Sequence, residues 1–134
     1  MQIIKCSGAI FVDDNGKILL EDRRKFSKHG EHWSFFGGCA EKGEDEEQTL
    51  RREIYEELNY KINSYKFLKE YTFTIKDKKF IFSIYTAPTP DMNKIKVHDG
   101  AKAKKFTIKQ ALRLKMINID KNIINDVAKN YRNR

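Results

Sequence analysis

The chain has 134 residues, a formal net charge of +8 and 40% hydrophobic residues, which suits a single globular domain spanning residues 1–134 and shows no repeat, linker or low-complexity segment. The apolar stretch from Ser7 to Val12 is cut off by Asp13-Asp14, too short for a membrane span or a signal peptide, so neither a membrane anchor nor export is expected. Cys6 and Cys39 form no C-x-x-C pair and two cysteines make no disulfide framework, which points to a reducing cytoplasm.

In chain order, Ile3 to Val12 is rich in β-branched residues, Asp13-Asp14-Asn15-Gly16 is a turn cluster, and Lys17 to Glu21 resumes an apolar run. Together they predict a first hairpin. Arg23, Arg24, Lys25 and Lys28 follow in a loop that leads to Trp33-Ser34-Phe35-Phe36 and the glycine pair Gly37-Gly38. His29 and His32 in that loop lack the further ligands a zinc site needs. Trp33 and Phe35 read first as core residues and second as a wall for a nucleobase.

From Asp45 to Leu58 there is no Gly or Pro, and Leu50, Ile54 and Leu58 recur every four residues, so a helix with one apolar face is expected. At about 100° per residue, Glu53, Glu56 and Glu57 fall close beside that face. Carboxylates so placed repel one another and raise one another's pKa values, unless a cation or basic groups offset them. A hard divalent cation with oxygen ligands and substrate phosphates answers that need. Gly37 and Gly38, without Cβ atoms, allow the backbone to approach a metal or a phosphate. The neighbouring run Glu44-Asp45-Glu46-Glu47 reads, Glu44 apart, as ordinary helix-start chemistry.

Beyond the helix, Phe67, Tyr71, Phe73 and Ile75 are mirrored by Phe80 to Tyr85 across Lys76-Asp77-Lys78-Lys79, a second hairpin. Pro88 and Pro90 break regular structure, and Asp91 to Gly100 is expected to be a loop. Lys102 to Thr107 reads as a strand, Ile108 to Met116 as a helix, and Asp120 to Tyr131 as a helix with Ile123, Ile124, Val127 and Tyr131 inward. This order predicts an α/β fold, a mixed β-sheet covered by helices.

The spacing Gly38-x5-Glu44-x7-Arg52-Glu53-Ile54-x-Glu56-Glu57 resembles the signature box of the Nudix hydrolases. Asn59 stands for the closing glycine and Tyr60 for the aliphatic residue. Asn is the next best residue for a left-handed helix end, so the departure is mild. Phe36 replaces a proline common before the glycines. The resemblance implies an α/β/α sandwich, a required Mg2+ or Mn2+, and hydrolysis of a phosphoanhydride in a nucleoside diphosphate linked to another moiety. Nucleotide sugars, ADP-ribose and nucleoside triphosphates are all of that type.

By the same resemblance Glu56 and Glu57 are the main metal ligands, with the Gly38 carbonyl. Glu53 is the general base or a further ligand. Arg52 and Glu44 pair to hold the loop against the helix, and Gly37, Gly38 and Phe35 border the substrate. Arg23, just after the second strand, is either a phosphate contact or a solvated arginine. Asp99 is either an extra metal ligand from outside the box or the first residue of an Asp-Gly turn. Two rival readings are removal of pyrophosphate from RNA 5′ ends, suggested by the +8 charge, and a non-catalytic nucleotide-binding module. The oligomeric state is open, a homodimer included.

Overall fold

The structure is a computed structural model and describes residues 1–28 and 30–132, apart from the side chains of Asp99 and Arg132. Its centre is strand β1 (Gln2–Val12), buried without a break from Cys6 to Val12. That burial follows from helices on both faces, which is why the strand reads as a continuous apolar run instead of an alternating one. Ala9 and Phe11 face one core with Leu50, Ile54 and Leu58. Ile10 and Val12 face the other with Ile123, Ile124 and Val127. The result is the expected three-layer arrangement, a mixed sheet between helices.

Along one edge β1 runs parallel to β6 (Lys78–Pro88), which pairs in turn with the antiparallel outer strand β5 (Lys66–Ile75). The other edge of β1 is divided. Its end pairs with β2 (Ile18–Asp22) at Val12 and Ile18, whereas Cys6 to Ala9 pair with β4 (Phe36–Cys39). The short β3 (Trp33–Ser34) lies on β2, opposite Glu21 and Asp22. Phe35 is therefore where the chain leaves β2 for β1. β7 (Ala103–Phe106) pairs with β2 as well.

Helix α1 (Glu46–Leu58) is closed at both ends by its own sequence. Asp45 accepts from the Gln48 N–H and the Gln48 side chain returns the bond, a reciprocal cap. Asn59, at φ 52°, takes the left-handed conformation and donates its N–H to the Tyr55 carbonyl, as expected for a substitute glycine. Helix α3 (Asn118–Arg132) covers the opposite face, and the Tyr71 hydroxyl ties it to β5 through Asp126 at 2.6 Å.

Two expectations are corrected. The helix predicted from Ile108 to Met116 stops at Ala111, giving the four-residue α2 (Ile108–Ala111). Beyond it the Lys121 ammonium takes the carbonyls of Ala111, Leu112 and Leu114, and a carbonyl held by an ammonium no longer serves a helical N–H well. Cys6 and Cys39, expected to be independent thiols, stand directly opposite each other in the β1–β4 pair and are joined by a disulfide. Among the described residues no helix is long and apolar enough to cross a membrane.

Candidate active site

The buried stripe of Leu50, Ile54 and Leu58 fixes how α1 rotates against the sheet, and so where its carboxylates go. Glu57 lies over β4, and its Oε1 accepts the Gly37 N–H at 2.7 Å. Glu53 lies over Gly38, so close that a Cβ on that glycine would stand 2.4 Å from its carboxylate. At Gly37 the crowding comes from the sheet: a Cβ there would lie 2.3 Å from the Ser7 carbonyl oxygen. Each glycine admits a different neighbour.

Arg52 organises the outer side of the site. Its Nε and Nη2 grip both oxygens of Glu44 at 2.7 and 2.9 Å, and Nη2 also reaches the Cys39 carbonyl at 3.0 Å. Its Nη1 donates to Glu53 at 2.8 Å and to Glu56 at 3.2 Å. Charge-assisted, two-pronged contacts of this kind are geometrically selective. The hydrogen bonds from Arg52, then the Glu41 N–H, hold the Glu44 carboxyl down at about 2. Glu56 is half exposed, with 54% of its side chain open to solvent, and faces Arg52 rather than Glu57.

On the inner side, β2 delivers a carboxylate that the box does not contain. Glu21 is 1% exposed; its Oε1 receives Arg23 Nη1 at 3.1 Å, and its Oε2 lies 3.0 Å from His98 Nε2. Arg23 also donates to the Phe26 carbonyl at 3.0 Å. Single ligand atoms of Glu21, Glu57 and His98 all lie within 4.8 Å of one another. Burial first, then the charges of Glu21 and Glu53, push the Glu57 carboxyl up to about 9. A carboxyl driven that far toward its neutral form marks a place where positive charge is wanted.

Glu57, Gly37, Arg23 and Phe35 also border a cavity of about 220 Å3 between the sheet and the start of α3. The same cavity is lined by Phe73, Phe82, Ile119 and Ile123 and by the acids Glu31 and Asp120; Glu31 Oε2 stands 3.9 Å from Arg23 Nε, and its Oε1 accepts the Ser27 hydroxyl at 2.9 Å. Asp120 is 7% exposed. Burial, then the charge of Glu31, pushes its carboxyl up to about 7. Trp33 is not part of this wall; it packs edge-on against Phe106, ring centroids 4.9 Å apart, as a core residue.

A model of the NUDIX domain matches residues 5–127. The chain belongs to the Nudix family. Among curated proteins, the CTP pyrophosphohydrolase of Escherichia coli is 41% identical over 58 residues, which is 43% of this chain and 42% of that one. The match thus spans less than half the length of either protein. Among solved structures, the E. coli ORF135 protein superposes with a TM-score of 0.82 at 24% identity, covering 100% of this chain and 94% of that one. The MutT protein of Methanosarcina mazei gives 0.80 at 16%, covering 97% and 96%. At these identities the likeness is one of fold.

The donor set of this Nudix chain fits the divalent cation that its family implies. Carboxylates from two elements, Glu57 of α1 and Glu21 of β2, converge where burial disfavours negative charge, and a hard cation takes oxygen donors. Glu53 stands one helical turn away over the Gly38 peptide. The structure therefore brings Arg23, Phe35, Gly37 and Glu57 to one cavity, sets Glu53 against Gly38 beside them, and ties Glu44, Glu53 and Glu56 together through Arg52. The side chain of Asp99 lies outside the described residues, as does His29.

Glu21, His98, Glu31 and Asp120 were not singled out from sequence. One signal was present for Glu21: strand alternation places it on the same face as Leu19, which packs against α1. Nothing local marks the other three.

Proposed function

We propose that the protein is a metal-dependent pyrophosphohydrolase whose substrate is a nucleoside diphosphate derivative of the nucleoside triphosphate type. The observation that carries this reading is one cavity whose lining combines the Glu57 carboxylate and the Arg23 guanidinium with the rings of Phe35, Phe73 and Phe82 and the Asp120 carboxyl. Such a lining offers a guanidinium to phosphates and apolar rings to a base. Its volume of about 220 Å3 falls below the roughly 300–1,000 Å3 typical of sites that enclose a whole drug-sized ligand. It therefore encloses one ring system and leaves the phosphates at the mouth.

Asp120 is an acceptor when ionised, and a carboxylate pairs with the exocyclic amino group of cytosine. An amino-bearing base such as that of CTP is thus the preferred occupant, in keeping with the name of the curated E. coli relative. Arg23 exchanges its Glu21 contact for a phosphate oxygen as the substrate enters. Glu53, held by Arg52, takes a proton from the attacking water, whose oxygen bonds to phosphorus as the phosphoanhydride P–O bond breaks and the leaving phosphate carries off the electron pair. Mg2+ or Mn2+, when bound by Glu57 and its neighbours, offsets the charge that develops on the phosphate oxygens.

The test is release of the nucleoside monophosphate from CTP, UTP, ATP, GTP, ADP-ribose and a nucleotide sugar, with pyrophosphate as the second product only for the triphosphates, in Mg2+, in Mn2+ and without metal. Metal-dependent release that is fastest with CTP supports the proposal. No release from any of them, under either metal, returns the chain to a nucleotide-binding module.

A further inference from the structure

We propose that His98 and Glu21 are ligands of the divalent cation together with Glu57, and that the imidazole nitrogen turns this protein toward Mn2+, Co2+ or Zn2+ in preference to Mg2+. The proposal deepens the metal-dependent reading above and depends on it. Ligand atoms on an octahedral cation with bonds of about 2.1 Å stand roughly 3 Å apart when adjacent and roughly 4.2 Å apart when opposite. One atom each from Glu21, Glu57 and His98 already lies within 4.8 Å of the other two, so small side-chain rotations close the set on one ion.

The three residues come from three elements. Glu21 is on β2, Glu57 is on α1, and His98 is on the single turn His98–Gly100 that packs against α1. Ligands from separate directions are what an octahedral ion needs and what one helix edge does not supply. The remaining contacts fix the orientation. Arg23 Nη1 occupies Glu21 Oε1 at 3.1 Å and leaves Oε2 toward His98. The Gly37 N–H occupies Glu57 Oε1 at 2.7 Å. The His98 ring stands against Phe26, centroids 6.2 Å apart.

A nitrogen donor changes which ions compete well. Oxygen-only sites suit Mg2+, whereas imidazole favours first-row transition ions and Zn2+. Mg2+ in addition gives up its waters reluctantly.

The experiment uses the full chain without substrate. Mn2+ and Mg2+ are titrated by calorimetry into the wild type, His98→Ala, His98→Gln and Glu21→Gln, each first checked for a cooperative thermal transition. The Mn2+-loaded proteins are then examined by pulsed electron paramagnetic resonance for nitrogen coupling. The wild type should bind Mn2+ about tenfold or more tightly than Mg2+ and show nitrogen modulation. Both His98 variants should lose the modulation and weaken Mn2+ by about tenfold, with little change for Mg2+, while Glu21→Gln should weaken both ions. Absence of nitrogen coupling in the wild type, or an unchanged ion ratio in the folded His98 variants, overturns the proposal. Nitrogen coupling in a protein that hydrolyses no nucleotide would instead sink the hydrolase reading and leave this one standing.

Discussion

Gly37 and Glu57, twenty residues apart, are joined by a 2.7 Å hydrogen bond from the glycine N–H to the carboxylate. That bond clamps α1 to the strand that precedes it, and it makes the glycine pair and the helix one unit. The two glycines nevertheless answer to different neighbours, which separates their mutants.

Gly37→Ala would drive a Cβ to 2.3 Å from the Ser7 carbonyl oxygen, with φ at 155°. Backbone does not yield easily, so stability should fall by about 2–4 kcal/mol in chemical denaturation. Gly38→Ala meets the Glu53 carboxylate at 2.4 Å, the movable end of a side chain. Its melting temperature should stay near that of the wild type while turnover collapses, because Glu53 is pushed aside. Equal thermal behaviour of the two variants would contradict this division.

Glu57→Gln should abolish most turnover at saturating Mg2+ and leave the fold as stable as before or slightly more so. The amide keeps the Gly37 contact, replaces a group whose charged form burial and Glu21 oppose, and removes a metal ligand. Glu47→Gln, on the same helix but exposed, should be nearly silent in the same assay.

Arg23→Ala should lower kcat/KM by about tenfold or more if the guanidinium holds a phosphate. Because Arg23 also neutralises the buried Glu21 at 3.1 Å, the variant should melt earlier as well. Arg23→Lys separates the two effects: it restores charge near Glu21 but not two-pronged phosphate contact. Unchanged kcat/KM in both variants would leave Arg23 with a structural role alone.

Asp120 carries a pH dependence whose sign follows from its raised pKa, about 7 against an ordinary 3.8. Between those values the folded state holds the proton and the unfolded state has lost it, so stability falls as pH rises from about 4 to 7. Below that window the term is fully retained. The upper bound is about 4 kcal/mol. The charge of Glu31 adds to the effect. Asp120→Asn should therefore melt higher than the wild type at pH 8, with the gap closing toward pH 4. A gap that does not vary with pH would show that the carboxyl is not shielded as described.

The Cys6–Cys39 disulfide closes a loop with a sequence separation of 33, worth about 3–4 kcal/mol by the chain-entropy argument. Reductant should lower the melting temperature of the oxidised protein, and Cys39→Ser, at an exposed position, should make it insensitive to reductant. Identical melting with and without reductant, in protein whose thiols have been counted, would rule the bond out as a stabilising link.

Sequence alone determined what is encoded in neighbours along the chain. The helix from Glu46 to Leu58, its Asp45 and Asn59 caps, the two hairpins and the box spacing all rest on contacts within a few residues, where periodicity and capping chemistry act directly. The pairing of β1 with β6, the strand character of Phe36–Cys39 and the Cys6–Cys39 contact were decided only by the tertiary structure. So was the meeting of Glu21, His98 and Asp120 with the box carboxylates and the cavity. These residues lie far apart in the chain, and nothing local records which strand edge takes which partner. Their convergence follows from β1, whose divided edge pairs with β4 along Cys6 to Ala9 and with β2 at Val12. The burial that this creates turns Glu21 from the last residue of an apolar run into a buried carboxylate facing the helix.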